Sequence, residues 1–207
     1  MRTRMVAMVA AHALLAAGCT SQPGEPPTSS PTGPPPQVDI TASVQPAGQA
    51  LRVTYRLVNR EDADLYVLNR VFPENDPFRL ESEPGQVYVT GRDGHTVEIS
   101  KRAFDVPPNM NADAPAVVGA TRLSPGEAVD ETFTVPLPLV RRHPYGNAGQ
   151  GVISLPDPVE AVVFCVGVVR DEPETTPGLP NELLFDHGSW TTLAQHVFCS
   201  EPTQLTP

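Results

Sequence analysis

The chain lacks the patterns that mark hydrolases, nucleotide-binding proteins and metalloenzymes. No GxSxG elbow, HExxH pair, GxxxxGKS/T phosphate loop or EF-hand pattern occurs in its 207 residues. No catalytic residue, metal or cofactor is therefore expected. The glycine-rich GNAGQG (146–151) runs into the strand-like VISL where a phosphate cradle needs a helix N-terminus, so it reads as a turn. Basic residues are few: 14 Lys and Arg stand against 24 Asp and Glu. That balance argues against nucleic acid or anionic lipid headgroups as partners, since both need a basic footprint. Long apolar runs are missing too. The longest, Met5–Leu15, is broken by His12 and falls well short of the roughly 20 residues that span a bilayer. Helical periodicity is nowhere convincing.

What is present begins with an address. Arg2 and Arg4 precede the apolar run, and the small residues Ala16, Ala17 and Gly18 follow it, in the three-part plan of a cleaved export signal. The join Leu15-Ala16-Ala17-Gly18-Cys19 resembles the lipobox of bacterial lipoproteins, with the favoured Leu one place further from the cysteine than usual. The resemblance implies a signal peptide over 1–18, cleavage before Cys19, diacylglycerol on the Cys19 thiol and an acyl chain such as palmitate on the new amino terminus. It implies a cell-envelope location. Thr20, not Asp, after the cysteine points to the outer membrane facing the periplasm in a Gram-negative organism, and otherwise to the outer face of the cell membrane. The alternative is an ordinary secreted protein cut after its small residues. Several acyl chains, at about 0.8 kcal/mol per buried CH2, make such an anchor effectively permanent.

Without residues 1–18 the chain carries 12 basic and 24 acidic residues, a net charge of −12. Residues 19–36 are expected to form the lipidated cysteine and a disordered linker. The stretch TSQPGEPPTSSPTGPPP holds seven prolines and no large apolar side chain, so it cannot bury enough surface to fold. At roughly 3.1 Å per residue it would hold a domain about 50 Å from the bilayer.

Residues 37–202 read as an all-β domain, with 203–207 as a tail. Val38, Ile40, Ala42 and Val44 alternate in VDITASV, and Leu51, Val53, Tyr55 and Leu57 alternate in LRVTYRL, as a strand with one wet face requires. LYVLNRVF (65–72) follows a polar corner at 59–64. QVYVTGR and HTVEISK flank Asp93-Gly94, a dipeptide suited to positive backbone angles, as a hairpin over 86–102. Leu123-Ser124-Pro125-Gly126-Glu127 is a turn leading into AVDETFTVPLPL. There Val129, Phe133 and Val135 share a face, Glu131 breaks the pattern, and Pro136 and Pro138 mark an edge or an ending. AVVFCVGVV (161–169) is apolar on both faces, as for a central strand, and TTLAQHVFCS (191–200) reads as the last one. Seven or eight short strands with turn signals predict an immunoglobulin-like two-sheet β-sandwich.

Cys165 and Cys199 remain once Cys19 is lipidated. In an oxidising envelope they are expected to pair; the rival, a thiolate metal site, needs further soft ligands, and no CxxC or HxxxH-type pair exists. The enclosed loop carries Asp171, Glu172, Glu174, Glu182, Asp186, His187 and Trp190. It reads as a binding surface or as a solvated loop that Phe185 and Trp190 anchor to the core. Arg141, Arg142, His143 and Tyr145 form the one local basic patch and the candidate binding loop for an anionic ligand or partner. His95 reads as solvated, Met110 stands alone, and His187, His196 and Asp186 form a metal or hydrolase site only if the fold brings them together.

The span Leu51–Val135 looks like the small immunoglobulin-like domain of the intracellular proteinase inhibitor family of bacilli. A strand ending in Asn59, an acidic corner, two apolar strands, the hairpin at Val89–Gly94 and the turn 123–127 carry the likeness. It implies a fold; no inhibitory loop transfers. The functional expectation is a non-enzymatic envelope module that binds or scaffolds a protein partner and is tethered to the membrane through N-terminal lipid. An envelope protease inhibitor acting through PPNMNADAP (107–115) is the alternative, with a metal-binding protein or hydrolase behind it.

Overall fold

The computed structural model describes residues 31–73, 85–107, 116–146, 154–171 and 183–205. Cys19, Thr20, Met110, nearly all of 107–115 and residues 172–182 of the acidic loop lie outside them. The elements in chain order are β1 (Val38–Pro46), β2 (Ala50–Asn59), β3 (Leu65–Arg70), β4 (Tyr88–Gly91) and β5 (Thr96–Lys101), then β6 (Val117–Leu123), β7 (Ala128–Pro136) and β8 (Ala161–Val169). The C-terminal part adds β9 (Leu183–Asp186), the short helix α1 (Ser189–Ala194), β10 (His196–Cys199) and β11 (Thr203–Gln204).

Alternation builds the smaller sheet, an antiparallel β1-β2-β7. Leu51, Val53, Tyr55 and Leu57 point inward and are buried, while Arg52, Thr54 and Arg56 face water. On the wet face Arg56 pairs with Asp130, and Thr54 meets Thr132 at 3.3 Å, cross-strand contacts each contributing about 0.2–1 kcal/mol. β7 pairs with β2 alone and stops at Pro136, as an edge strand can.

The larger sheet is organised around β8. Its path is β4-β5-β8-β3-β6-β9, and β10 and β11 also pair with β8. Cys165 lies between Ser100 of β5 and Cys199 of β10, and Val168 between Val67 of β3 and His196 of β10. β5 and β3 therefore share one edge of β8, and β10 and β11 the other. Every residue of β8 is buried, which is why its sequence does not alternate. Val162, Phe164, Val166 and Val168 meet the small sheet in the main core, where the Phe164 ring lies 5.0 Å from Tyr55. On the outer face Val169, Tyr66, Leu68, Val118 and Phe185 form a second apolar cluster against which Ala194 of α1 packs. The chain is thus a two-sheet β-sandwich.

Glu131 shares the inward parity of Phe133 because it has a partner inside. Lys101 Nζ lies 2.6 Å from Glu131 Oε2, with no exposure of the lysine side chain. Asn69 donates to Glu131 Oε1 at 2.8 Å and accepts from Thr121 at 2.8 Å. Burial lowers the Lys101 pKa, while Glu131 opposes that shift. Lys101 is the chain's sole lysine.

The structure corrects several local expectations. Gly94 is not among the glycines at positive φ; the β4–β5 turn is held instead by the Asp93 carboxylate, which accepts from the N–H groups of His95 (2.9 Å) and Thr96 (2.7 Å). Gly126, at φ 80°, does supply the left-handed position of the 124–127 turn. The expected last strand over 191–200 is half helix: Thr192 Oγ1 bonds back to Gly188 O, and six residues are too few to register a helical period. Residues 203–205 are not a loose tail. β11 pairs with Val162 and Ala161, and Leu205 N–H donates to Glu160 O.

The end of the proline-rich stretch is likewise fixed to the domain. Arg170 donates to Pro34 O at 2.7 Å, to Pro35 O at 3.0 Å and to Glu61 at 2.8 Å, and Pro36 is buried. Thr32 donates twice to Leu193 O, from N–H at 2.9 Å and from its hydroxyl at 3.2 Å.

Candidate functional site

The segment after β7 carries the predicted binding loop onto the edge of the larger sheet. Arg142 and Val89 exchange backbone hydrogen bonds at 2.8 and 2.9 Å, so the loop pairs antiparallel alongside β4. The Arg142 guanidinium then donates to Gln86 (2.6 Å), Val87 O (3.1 Å) and Phe72 O, and lies 5.9 Å from the Tyr88 ring centre. Arg141 donates to Gly146 O at 2.9 Å. Tyr145 is buried, with its hydroxyl donating to His187 O at 2.8 Å. The loop expected as an exposed basic patch is therefore docked. Its arginines are committed to carbonyl groups left over by the strand ends, which must be satisfied once water is excluded.

Docking assembles a cluster of five rings. Phe104 packs edge-on against Tyr88 (5.2 Å between centres) and His143 (4.8 Å), and Tyr145 and His187 complete the group. Arg102 covers the Phe104 ring at 4.0 Å while pairing with the buried Glu98 at 2.6 Å. Gln195 clamps the next residue: its side chain accepts from Ala103 N–H at 3.0 Å and donates to Ala103 O at 2.8 Å.

His187 sits at the centre with no exposure. Its Nδ1 receives the Phe104 backbone N–H at 3.0 Å, and its Nε2 lies 2.9 Å from the Tyr88 hydroxyl. A backbone N–H can only donate, so Nδ1 is unprotonated and the neutral ring carries its proton on Nε2. Burial, then His143 and Arg102, push the His187 pKa down to about 3. His143, half-buried, accepts from Tyr145 N–H through Nδ1 at 3.2 Å, and burial, Arg141 and Arg102 lower its pKa to about 4. Burial raises both the Tyr88 and Tyr145 hydroxyls well above 10. The cluster is thus electrically neutral in its rings at ordinary pH. It offers hydrogen bonds and ring faces, with His143 as its half-buried member.

The other sites foreseen in the sequence are scattered. His187 directs both ring nitrogens at protein groups, His196 lies on β10 opposite Val168, and Asp186 lies on β9 opposite Val117. Among the described residues no three His, Cys, Asp or Glu side chains gather as a metal would require. His95 is exposed beside Glu160 at 3.3 Å. The Cys165–Cys199 disulfide is present and joins directly opposed residues of β8 and β10. Arg92 Nη1 lies 3.5 and 3.6 Å from its two sulfurs, a contact with no sequence signal. Of the proposed inhibitory loop 107–115, only Pro107 is described.

Trp190, expected to anchor the acidic loop in the core, does not. Phe185 is buried, but Trp190 stacks on it from outside and stays 56% exposed. Leu193 and Val197 are also exposed, and among the described residues no helix is long and apolar enough to cross a membrane. Comparison with family models, with curated proteins and with solved structures gives no match to this chain.

Proposed function

We propose that the chain is a membrane-anchored envelope lipoprotein whose immunoglobulin-like β-sandwich serves as a non-enzymatic binding or scaffolding module for an envelope protein partner. One observation carries the reading. The segment leading from Cys19 is fastened to the sandwich by Thr32, Pro34 and Pro35, so the domain hangs from a short tether with a fixed root. The ring cluster adds support, because its histidines and tyrosines are engaged in holding loop 141–146 and residues 102–104 against the sheet. The paired two-sheet core and the Asn59-centred corner, where Asn59 donates to Ala63 O and Leu123 O, are what favour an immunoglobulin-like assignment.

The test is to express the full chain in a bacterial host and compare it with Cys19→Ser by fractionation and intact mass. The reading expects a membrane-bound protein that begins at Cys19 and carries diacylglycerol, with the variant released from the membrane. A wild-type chain recovered in the soluble fraction with an unmodified Cys19 overturns it. In-cell crosslinking of the anchored protein then addresses the partner.

A further inference from the structure

We infer that the α1 face, with Trp190 and Leu193 at its centre, rests in the headgroup region of the bilayer that holds the lipid anchor. The inference rests on the lipoprotein reading above and adds an orientation and a lipid-contacting surface to it.

Tether length restricts which face can reach the membrane. Thr32 is bonded to Leu193 O, so the tether leaves the domain at α1. Thirteen residue steps separate Cys19 from Thr32, a reach of about 45 Å at full extension. A sphere with the radius of gyration expected for residues 37–205 is about 40 Å across. If the pole opposite α1 touched the bilayer, the tether would have to run around the domain and down, about 50 Å for a sphere of that size. That exceeds its reach. The pole opposite α1 is therefore out of reach, and the faces around the tether's root at α1 meet the bilayer with the least extension of the tether.

Chemistry selects α1 among the faces near that root. SWTTLA carries no charged side chain, although the chain beyond residue 18 has a net charge of −12. The nearest carboxylate, Asp105, is engaged by the Thr192 hydroxyl, so α1 itself brings no charge to the phosphate headgroups. Trp190 and Leu193, three residues apart, share one side of the helical turn and are 56% and 38% exposed. Val197, just beyond on β10, is 39% exposed. Tryptophan is the side chain most suited to a membrane–water boundary, with an apolar ring and a polar N–H. Stacking on Phe185, at 6.5 Å and 16° between planes, holds the indole in place before contact, so little side-chain freedom is lost on insertion. The tether keeps the face at high local concentration near the bilayer, so a contact too weak for a free domain is populated.

Trp190 is the chain's only tryptophan, which makes its emission a direct reporter. The acylated full chain is reconstituted into phosphatidylcholine vesicles with and without bromine on the acyl chains near the headgroups, alongside Cys19→Ser and Leu193→Glu. Flotation records anchoring, and far-ultraviolet dichroism with thermal unfolding records the fold of each variant. The expected result is emission at shorter wavelength and quenching by brominated lipid for the wild-type chain. Leu193→Glu, at an exposed position, is expected to float and unfold as wild type while losing most of the quenching. Wild-type protein that floats but is neither shifted nor quenched overturns the inference and leaves the anchor reading standing. A shift without bromine quenching means another protein copy covers the face, and also overturns it. Wild-type protein that fails to float overturns the anchor reading and this inference with it.

Discussion

Acid is expected to loosen this fold at a pH well above that at which its carboxylates titrate, and His187 is the reason. In the unfolded chain its imidazole takes a proton near pH 6.5; in the folded chain it does so only near pH 3, because burial disfavours the cation and protonation of Nδ1 breaks the bond from Phe104 N–H. The unfolded state therefore binds the extra proton between those two values, and linkage makes stability fall as pH falls through that window. His187's contribution is complete above about pH 6.5 and is lost progressively towards pH 3. Each pH unit removes about 1.4 kcal/mol once the unfolded imidazole is protonated, so His187 alone accounts for about 2–3 kcal/mol between pH 6.5 and 4.5, or roughly 5–10 °C in Tm for a domain of this size. His143 and His196, whose pKa values are also lowered, act in the same direction, with a smaller share expected from the half-exposed His143. The lowered carboxylates Glu61 and Asp93 begin from 4.5 and 3.8, so they act below the span from pH 6.5 to 4.5. The assay is urea unfolding of wild type and His187→Gln at pH 7.5, 6.5, 5.5 and 4.5. At pH 7.5 the variant is expected to be less stable by about 1–3 kcal/mol, through disturbed buried hydrogen bonds. It should then lose about 2–3 kcal/mol less than wild type on going from pH 6.5 to 4.5. Identical pH slopes in the two proteins would refute the account of His187 as a buried neutral ring.

Three further outcomes follow from the same structure. Lys101→Met strands Glu131 between the sheets without its cation and is expected to cost about 3–5 kcal/mol in denaturant unfolding. The double variant Lys101→Met with Glu131→Gln should recover most of that loss, because a neutral amide still accepts from Asn69. Reduction of Cys165–Cys199, or replacement of both cysteines by alanine, frees a loop spanning 34 residues. The expected loss is about 3–4 kcal/mol on the chain-entropy model, read as a shift in urea midpoint with and without reductant. Gly167→Ala places a Cβ 2.6 Å from Gln195 Oε1 and 3.2 Å from Arg102 Cβ. The Ala103 clamp must then shift, with an expected cost of about 1–3 kcal/mol in thermal unfolding.

The strands were readable wherever one face meets water and the other the core. Arg52, Thr54 and Arg56 alternate with buried Leu51, Val53 and Tyr55 because β2 has those two surroundings and no others. β8 was readable for the opposite reason: a run apolar at both parities has nowhere to lie but between two layers. α1 was not readable, since six residues complete fewer than two turns and Trp190-Thr191-Thr192 has the composition of a strand. The fixed end of the proline-rich stretch was equally hidden. Its composition forbids a core of its own, which is a local property. What holds it is Arg170, more than a hundred residues away and recruiting the backbone carbonyls of Pro34 and Pro35, which every sequence possesses.

The same distinction governs the ring cluster. Arg141, Arg142, His143 and Tyr145 stood out because they are basic and aromatic in an acidic chain, and that contrast is a valid sign of a special environment. It does not reveal which way the charges point. Arg142 turns towards Phe72 O and Val87 O, and Tyr145 towards His187 O, so side chains suited to an anionic ligand bind the protein's own backbone. Glu131 and Lys101 carry the clearest lesson. Each breaks the alternation of its strand, and a charge at an inward position costs several kcal/mol unless an opposite charge meets it. Two such breaks in one two-sheet domain are therefore better explained together than apart. Pairing a lone inward acid with the chain's sole lysine requires no coordinates, and it brings β5 and β7 to opposite sides of one core, where the structure has them.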